Sequence, residues 1–94
     1  NIRIVQFWAD GVGTYAPPGH WNAIAAEDFI NLNFSEVRWA NNLALLNVTL
    51  MDAAIVCWNT KYYYFNPRPC QLNPAIKTLT GVPNFPSYIS GHST

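Results

Sequence analysis

Ninety-four residues suffice for one small domain with a single core, and a chain of this size is marginally stable without added support. Five Lys plus Arg balance five Asp plus Glu, so no excess charge points to nucleic acid or to an anionic membrane surface. Half of the residues are hydrophobic and 15% are aromatic, which excludes a disordered chain and predicts a packed globular one.

The first ten residues, NIRIVQFWAD, contain neither an initiator Met nor a charged-then-apolar signal segment. With an ending, SGHST, that reads as a loop running into a helix, the sequence is expected to be a piece of a longer protein. The stretch DGVGTYAPPG holds three Gly and two Pro in ten residues and is expected to be an irregular loop. HWNAIAAEDFINL follows with helical spacing, Trp21, Ile24, Ala25 and Phe29 sharing one face while Glu27 and Asp28 fall elsewhere. His20 is read as a helix-start residue. Asn33 followed by Glu36 fits a capping box and predicts the start of a long helix.

That helix is expected to run from Phe34 to Lys61, about 40 Å at the usual rise. Leu43, Leu46, Leu50, Ala54 and Cys57 succeed one another at steps of three or four and form one apolar stripe. The window WANNLALLNVTLMDAAIVCW is nearly long enough to span a bilayer, but Asn41, Asn42, Asn47 and Asp52 interrupt it. A buried helix of a soluble protein, with no membrane span, is therefore predicted, and Asp52 is assigned a structural hydrogen bond or ion pair. Trp8, Trp21, Trp39, Trp58 and the run from Tyr62 to Phe65 are assigned to the core. Cys57 and Cys70 match no zinc spacing and read as reduced core thiols, a single disulfide being the alternative in an oxidising compartment.

The next step of the apolar stripe is Lys61. A lysine on the continuation of a core-facing stripe either snorkels out at the helix end or is aimed at a buried anion. Three prolines in FNPRPCQLNP then turn the chain into a loop, and Arg68 sits between two of them on stiff backbone. An arginine so held suits a planar, bidentate partner: a carboxylate or a phosphate. Taken singly, Lys61 also fits a cation at a helix C-terminus, Arg68 a partner of Asp52, Glu36 or a carbonyl, and His92 an exposed loop histidine. The closing stretch GVPNFPSYISGHST reads as a loop that brings backbone amides and a hydroxyl to one point. Ser90 can donate a hydrogen bond, Gly91 permits close approach, and His92 exchanges protons near neutral pH.

Lys61, six intervening residues, Arg68-Pro69, and later Ser90-Gly91-His92 resemble two of the three signature motifs of a known superfamily. It joins vanadium-dependent haloperoxidases with type 2 phosphatidic acid phosphatases and bacterial acid phosphatases. FWAD, PPGHWNAIA and NFPSYISGHS also look like its soluble, haloperoxidase-like branch, so the resemblance covers essentially the whole chain. The residue before Ser90 departs from the phosphatase pattern, Ile89 standing where proline is usual. The third motif, which supplies a second arginine and the histidine that attacks phosphorus or binds vanadium, is absent, and His20 lies too far upstream to replace it.

The resemblance implies an all-α, helical-bundle fragment, residues 1–94 forming part of one helical domain. It implies that Lys61, Arg68, Ser90 and Gly91 bind vanadate or phosphate, and that His92 is the catalytic acid or base. No residue of this chain would coordinate the metal directly. The implied parent is a vanadate-dependent, peroxide-driven halide oxidase with vanadate as cofactor and peroxide, halide and a small anion as ligands. The alternatives are a phosphomonoesterase acting through a phosphohistidine, with no cofactor, and a non-catalytic anion-binding remnant. No nucleic acid is expected as partner, self-association through faces exposed by truncation is expected, and the parent is expected to be soluble and secreted or periplasmic.

Overall fold

A serine, not an asparagine, starts the longest helix. In the computed structural model, which describes residues 1–11 and 13–94, the Arg38 N–H donates to Ser35 Oγ at 3.4 Å and the Trp39 N–H to the Ser35 carbonyl at 2.9 Å. Asn33 lies two residues earlier with φ of 50°, a left-handed conformation that asparagine tolerates, and makes the turn instead of the cap. The expected Asn33–Glu36 capping box is thus corrected to a cap by Ser35.

The elements in chain order are α1 (Ile2–Phe7), α2 (Ala16–Asn31), α3 (Glu36–Tyr64) and α4 (Pro69–Leu72). No strand occurs among the described residues, so the chain is all-α. α2 starts earlier than its apolar spacing suggested. Ala16 to Gly19, expected in the loop, form its first turn, because Pro17 and Pro18 occupy positions whose N–H groups no helix uses. Of the remaining loop, Val12 lies outside the described residues. Around it, Thr14 Oγ1 donates to the Gly11 carbonyl at 2.7 Å. Asp10 Oδ1 and His20 Nδ1 close a 2.8 Å ion-pair contact, both side chains more than nine-tenths buried.

The chain divides into two compact units, Asp10–Met51 on one hand and Asn1–Ala9 with Asp52–Thr94 on the other, and α3 supplies residues to both. The first unit is an αα-hairpin of α2 and the first half of α3. Asn22 and Asn47 exchange side-chain amide hydrogen bonds at 2.9 Å in both directions, almost equidistant from the turn. Nearer the turn, Phe29 stacks on Phe34 at 5.1 Å and meets Trp39 edge-on at 5.4 Å. These aromatic pairs and the amide pair fix the register of the two helices.

The apolar stripe of α3 is its covered face. Leu43, Leu46, Leu50 and Ala54 are half-buried, and Cys57 and Lys61 are buried. The rest of the helix is not the buried element expected. A 29-residue helix rises about 44 Å, and so short a chain has too little left to surround it. Cys57 and Pro86 are the buried apolar residues among those described. Leu45, Val48, Met51, Ile55 and Val56 stand 55–67% exposed, and Trp21, Trp58 and Tyr62 to Phe65, assigned to the core from sequence, are exposed as well. The Asp52 side chain is exposed and makes no hydrogen bond or ion pair among the described residues, so its structural assignment is also corrected. By length and composition α3 is long and apolar enough to cross a membrane. Several of its polar side chains also bond back to the preceding turn: Asn42 donates to the Arg38 carbonyl, Asn47 to Leu43, Thr49 to Leu45 and Thr60 to Val56, all at 2.8 Å. A contiguous apolar surface of this extent is expected to drive self-association, so light scattering should report an oligomer at micromolar concentration. A clean, stable monomer would contradict this.

Candidate functional site

The second unit places both cations of the Lys61–Arg68 segment on one loop. Lys61 lies in the last turn of α3 with 3% exposure, and its ammonium donates to the carbonyls of Pro86 at 3.1 Å and Ser87 at 3.0 Å. Arg68 donates from Nε to the carbonyl of Phe85 at 3.1 Å. Three consecutive carbonyls, Phe85 to Ser87, are therefore read by two cations whose own residues are separated by the end of a helix. The same loop is tied back to the helix end by the Ser87 N–H, which donates to the Asn66 carbonyl at 2.9 Å.

The local chain explains how Arg68 reaches that point. α3 stops at Tyr64, and Phe65 takes φ of 49°, which turns the backbone away from the helix axis. Pro67 and Pro69 then stiffen both flanks of Arg68. Arg68 itself is extended, φ −80° and ψ 148°, and caps the short α4. Its N–H donates to Gln71 Oε1 at 2.7 Å, and its carbonyl accepts from the Gln71 N–H at 2.9 Å. The guanidinium is itself held by the Nε bond to the Phe85 carbonyl and by its place over the Phe85 ring.

The electrostatics of this corner are one-sided. Among the described residues no carboxylate lies within ion-pair distance of Lys61 or Arg68, and the one ion pair, Asp10–His20, belongs to the other unit. Two neutral carbonyls satisfy hydrogen-bonding groups of the Lys61 ammonium without neutralising it, and a buried cation without a counter-charge is costly. The terminal nitrogens of Arg68 make no hydrogen bond among the described residues and are left as a donor fork. Of the partners weighed for Arg68 from sequence, the carbonyl is the one present.

Ser90, Gly91 and His92 approach the same helix one turn earlier. The Cys57 thiol faces the Ile89 carbonyl at 3.9 Å, and a Cβ built on Gly91 would lie 3.9 Å from Cys57 Sγ. That is an ordinary contact, so packing within the chain does not itself demand glycine at position 91. The Ser90 hydroxyl accepts from Ser93 Oγ at 3.3 Å, and the Ser90 carbonyl accepts from Thr94 Oγ1 at 2.8 Å. His92 Nε2 is hydrogen-bonded to the Trp8 carbonyl. A carbonyl only accepts, so Nε2 carries a proton and Nδ1 is the nitrogen left for exchange. No hydrogen bond joins Ser90, Gly91 or His92 to Lys61 or Arg68 among the described residues. The structure thus joins Lys61 and Arg68 at one loop and sets the Ser-Gly-His segment beside Cys57.

Sequence reasoning missed Phe85, Trp58 and the Asp10–His20 pair. Phe85 presents its ring to both cations and meets the Trp58 ring edge-on at 4.7 Å. The signal was a phenylalanine in a proline-bracketed loop, in a chain whose aromatics were otherwise read as core. A cleft of about 380 Å³ opens beside this wall, lined among others by Tyr62, Phe65, Asn66, Asn84, Phe85 and Pro86. No group of three or more His, Cys, Asp or Glu residues suited to a metal ion occurs among the described residues, and Cys57 and Cys70 are both free. No family model matches the chain, and neither does any curated protein or solved structure.

Proposed function

We propose that Lys61 and Arg68 are the cationic arms of an oxyanion site, and that the chain is part of a vanadate-dependent, peroxide-driven halide oxidase. The observation that carries this reading is the buried Lys61 ammonium, which has carbonyls but no acid beside it and shares the Phe85–Ser87 loop with Arg68. A tetrahedral or trigonal oxyanion would supply the missing counter-charge and occupy the free fork of Arg68. The two cations that share the loop suit the oxygen atoms of vanadate, and the resemblance would add the Ser90 hydroxyl and the Gly91 backbone to them. These residues bind and orient the anion by preorganised charge. Vanadate, when bound, supplies the activation of peroxide toward halide.

His92 keeps a proton on Nε2 through the Trp8 carbonyl, and its Nδ1 takes or gives the proton that peroxide or a leaving alcohol requires. The resemblance between this chain's Lys-x6-Arg-Pro and Ser-Gly-His segments and the haloperoxidase and acid phosphatase superfamily supports the same reading. On that reading a histidine of the third motif, which these 94 residues do not contain, would help hold the group, and the protein works in solution outside the cytoplasm.

The test is made on the longest available form of the protein, supplied with orthovanadate, peroxide and bromide. Bromination of a phenolic acceptor that requires vanadate is the expected result. Release of phosphate from a phosphomonoester, inhibited by vanadate, would instead identify a phosphatase working through the same cations. Neither activity, with no vanadate binding, would leave the cations as loop supports and overturn the proposal.

A further inference from the structure

Two cations held on adjacent carbonyls of one loop repel each other, and among the described residues neither has an acidic partner. What they share is a ring. The Lys61 ammonium lies 5.2 Å and the Arg68 guanidinium carbon 4.8 Å from the centroid of Phe85, both within the range where an aromatic face attracts a cation. The ring is itself set from α3, by the edge-on Trp58 one helical turn before Lys61, and Trp58 in turn stacks on Tyr62 at 6.1 Å. The backbone of the same residue is used as well, its carbonyl accepting from Arg68 Nε. Phe85 thus meets Arg68 with both its ring and its carbonyl, and Lys61 with its ring while Lys61 takes the next two carbonyls.

We infer that Phe85 is a positioning residue, its ring offsetting the charge of Lys61 and Arg68 so that the pair is assembled before any anion arrives. This rests on the oxyanion reading for its purpose but not for its physics. An aliphatic side chain of similar volume would fill the space and keep the carbonyl, yet would leave two cations unscreened in a poorly hydrated corner. The anion would then have to gather its donors as it binds, and affinity would fall.

The test uses the full 94-residue chain and two readouts. In proton NMR, the Lys61 ε-methylene and Arg68 δ-methylene signals should both be shifted upfield by the ring and should return together to ordinary positions in Phe85→Leu. In parallel, 4-fluoro-, 3,5-difluoro- and pentafluorophenylalanine at position 85 withdraw charge from the ring with little change of shape. Across that series the orthovanadate Kd should rise stepwise, about tenfold in all, and Phe85→Trp should restore native affinity. Upfield shifts with no orthovanadate binding to any member, nor to a longer form that carries the third motif, would keep the positioning role and overturn the anion reading. Absence of upfield shifts on either cation overturns the positioning role whatever orthovanadate does. Upfield shifts with one unchanged Kd throughout the fluorinated series also overturn it, since the ring would then be a passive neighbour.

Discussion

Lys61→Met unfolds in urea within about 1 kcal/mol of the native chain, while Lys61→Ala loses about 2–4 kcal/mol. The difference follows from what each variant removes. Methionine keeps the length and flexibility of the lysine stem, so the space beneath the loop stays filled. It gives up two charge-assisted hydrogen bonds, to the carbonyls of Pro86 and Ser87, each of which contributes about 1.5–3 kcal/mol. Against that loss stands the desolvation of an ammonium that is 3% exposed, several kcal/mol for a charge without a counter-ion. The two nearly cancel. Alanine regains the same desolvation but opens a cavity where the stem lay. Both variants should lose orthovanadate binding. If methionine proves as destabilising as alanine, the ammonium is there to hold the loop, and its charge is not reserved for a ligand.

Arg68→Lys, which preserves the charge, raises the orthovanadate Kd by about tenfold or more in calorimetry, close to the effect of Arg68→Ala. The reason is geometric. Arg68 uses Nε for the Phe85 carbonyl and keeps its two terminal nitrogens for a second partner, a division of labour that a single ammonium cannot reproduce. A lysine at this position must choose between the carbonyl and the anion. The guanidinium plane over Phe85 is lost at the same time. Stability should fall by only about 1 kcal/mol, the value of one hydrogen bond at a partly buried site. An unchanged Kd in Arg68→Lys would mean that Arg68 acts as a bare charge or not at all.

Much of the placement of these cations was legible in the sequence, because helical periodicity carries over three or four residues with little ambiguity. The steps from Leu43 through Cys57 to Lys61 describe the face of α3 that is in fact covered, and Lys61 is its innermost polar member. The prolines around Arg68 announced a stiff loop for the same local reason. Other features depended on distant partners and were not legible. Nothing in Asn33 or Ser35 says which will take a left-handed turn, and either can cap a helix. The aromatic run from Tyr62 to Phe65 looks like core by composition, but burial depends on how much chain is available to cover it. The Asp10–His20 pair joins residues across a Gly-rich loop, and the role of Phe85 arises only when α3 and the C-terminal loop meet. Spacing along a sequence does not report such meetings.

The most direct measurement is a calorimetric titration of the 94-residue chain with orthovanadate, repeated on Lys61→Met, whose fold should be intact. Saturable binding by the native chain that the methionine variant lacks is the predicted result. It would assign the buried ammonium to an oxyanion. Equal binding by both chains, or none by the native chain or by a longer form that carries the third motif, would contradict that assignment and return Lys61 to the role of a loop support.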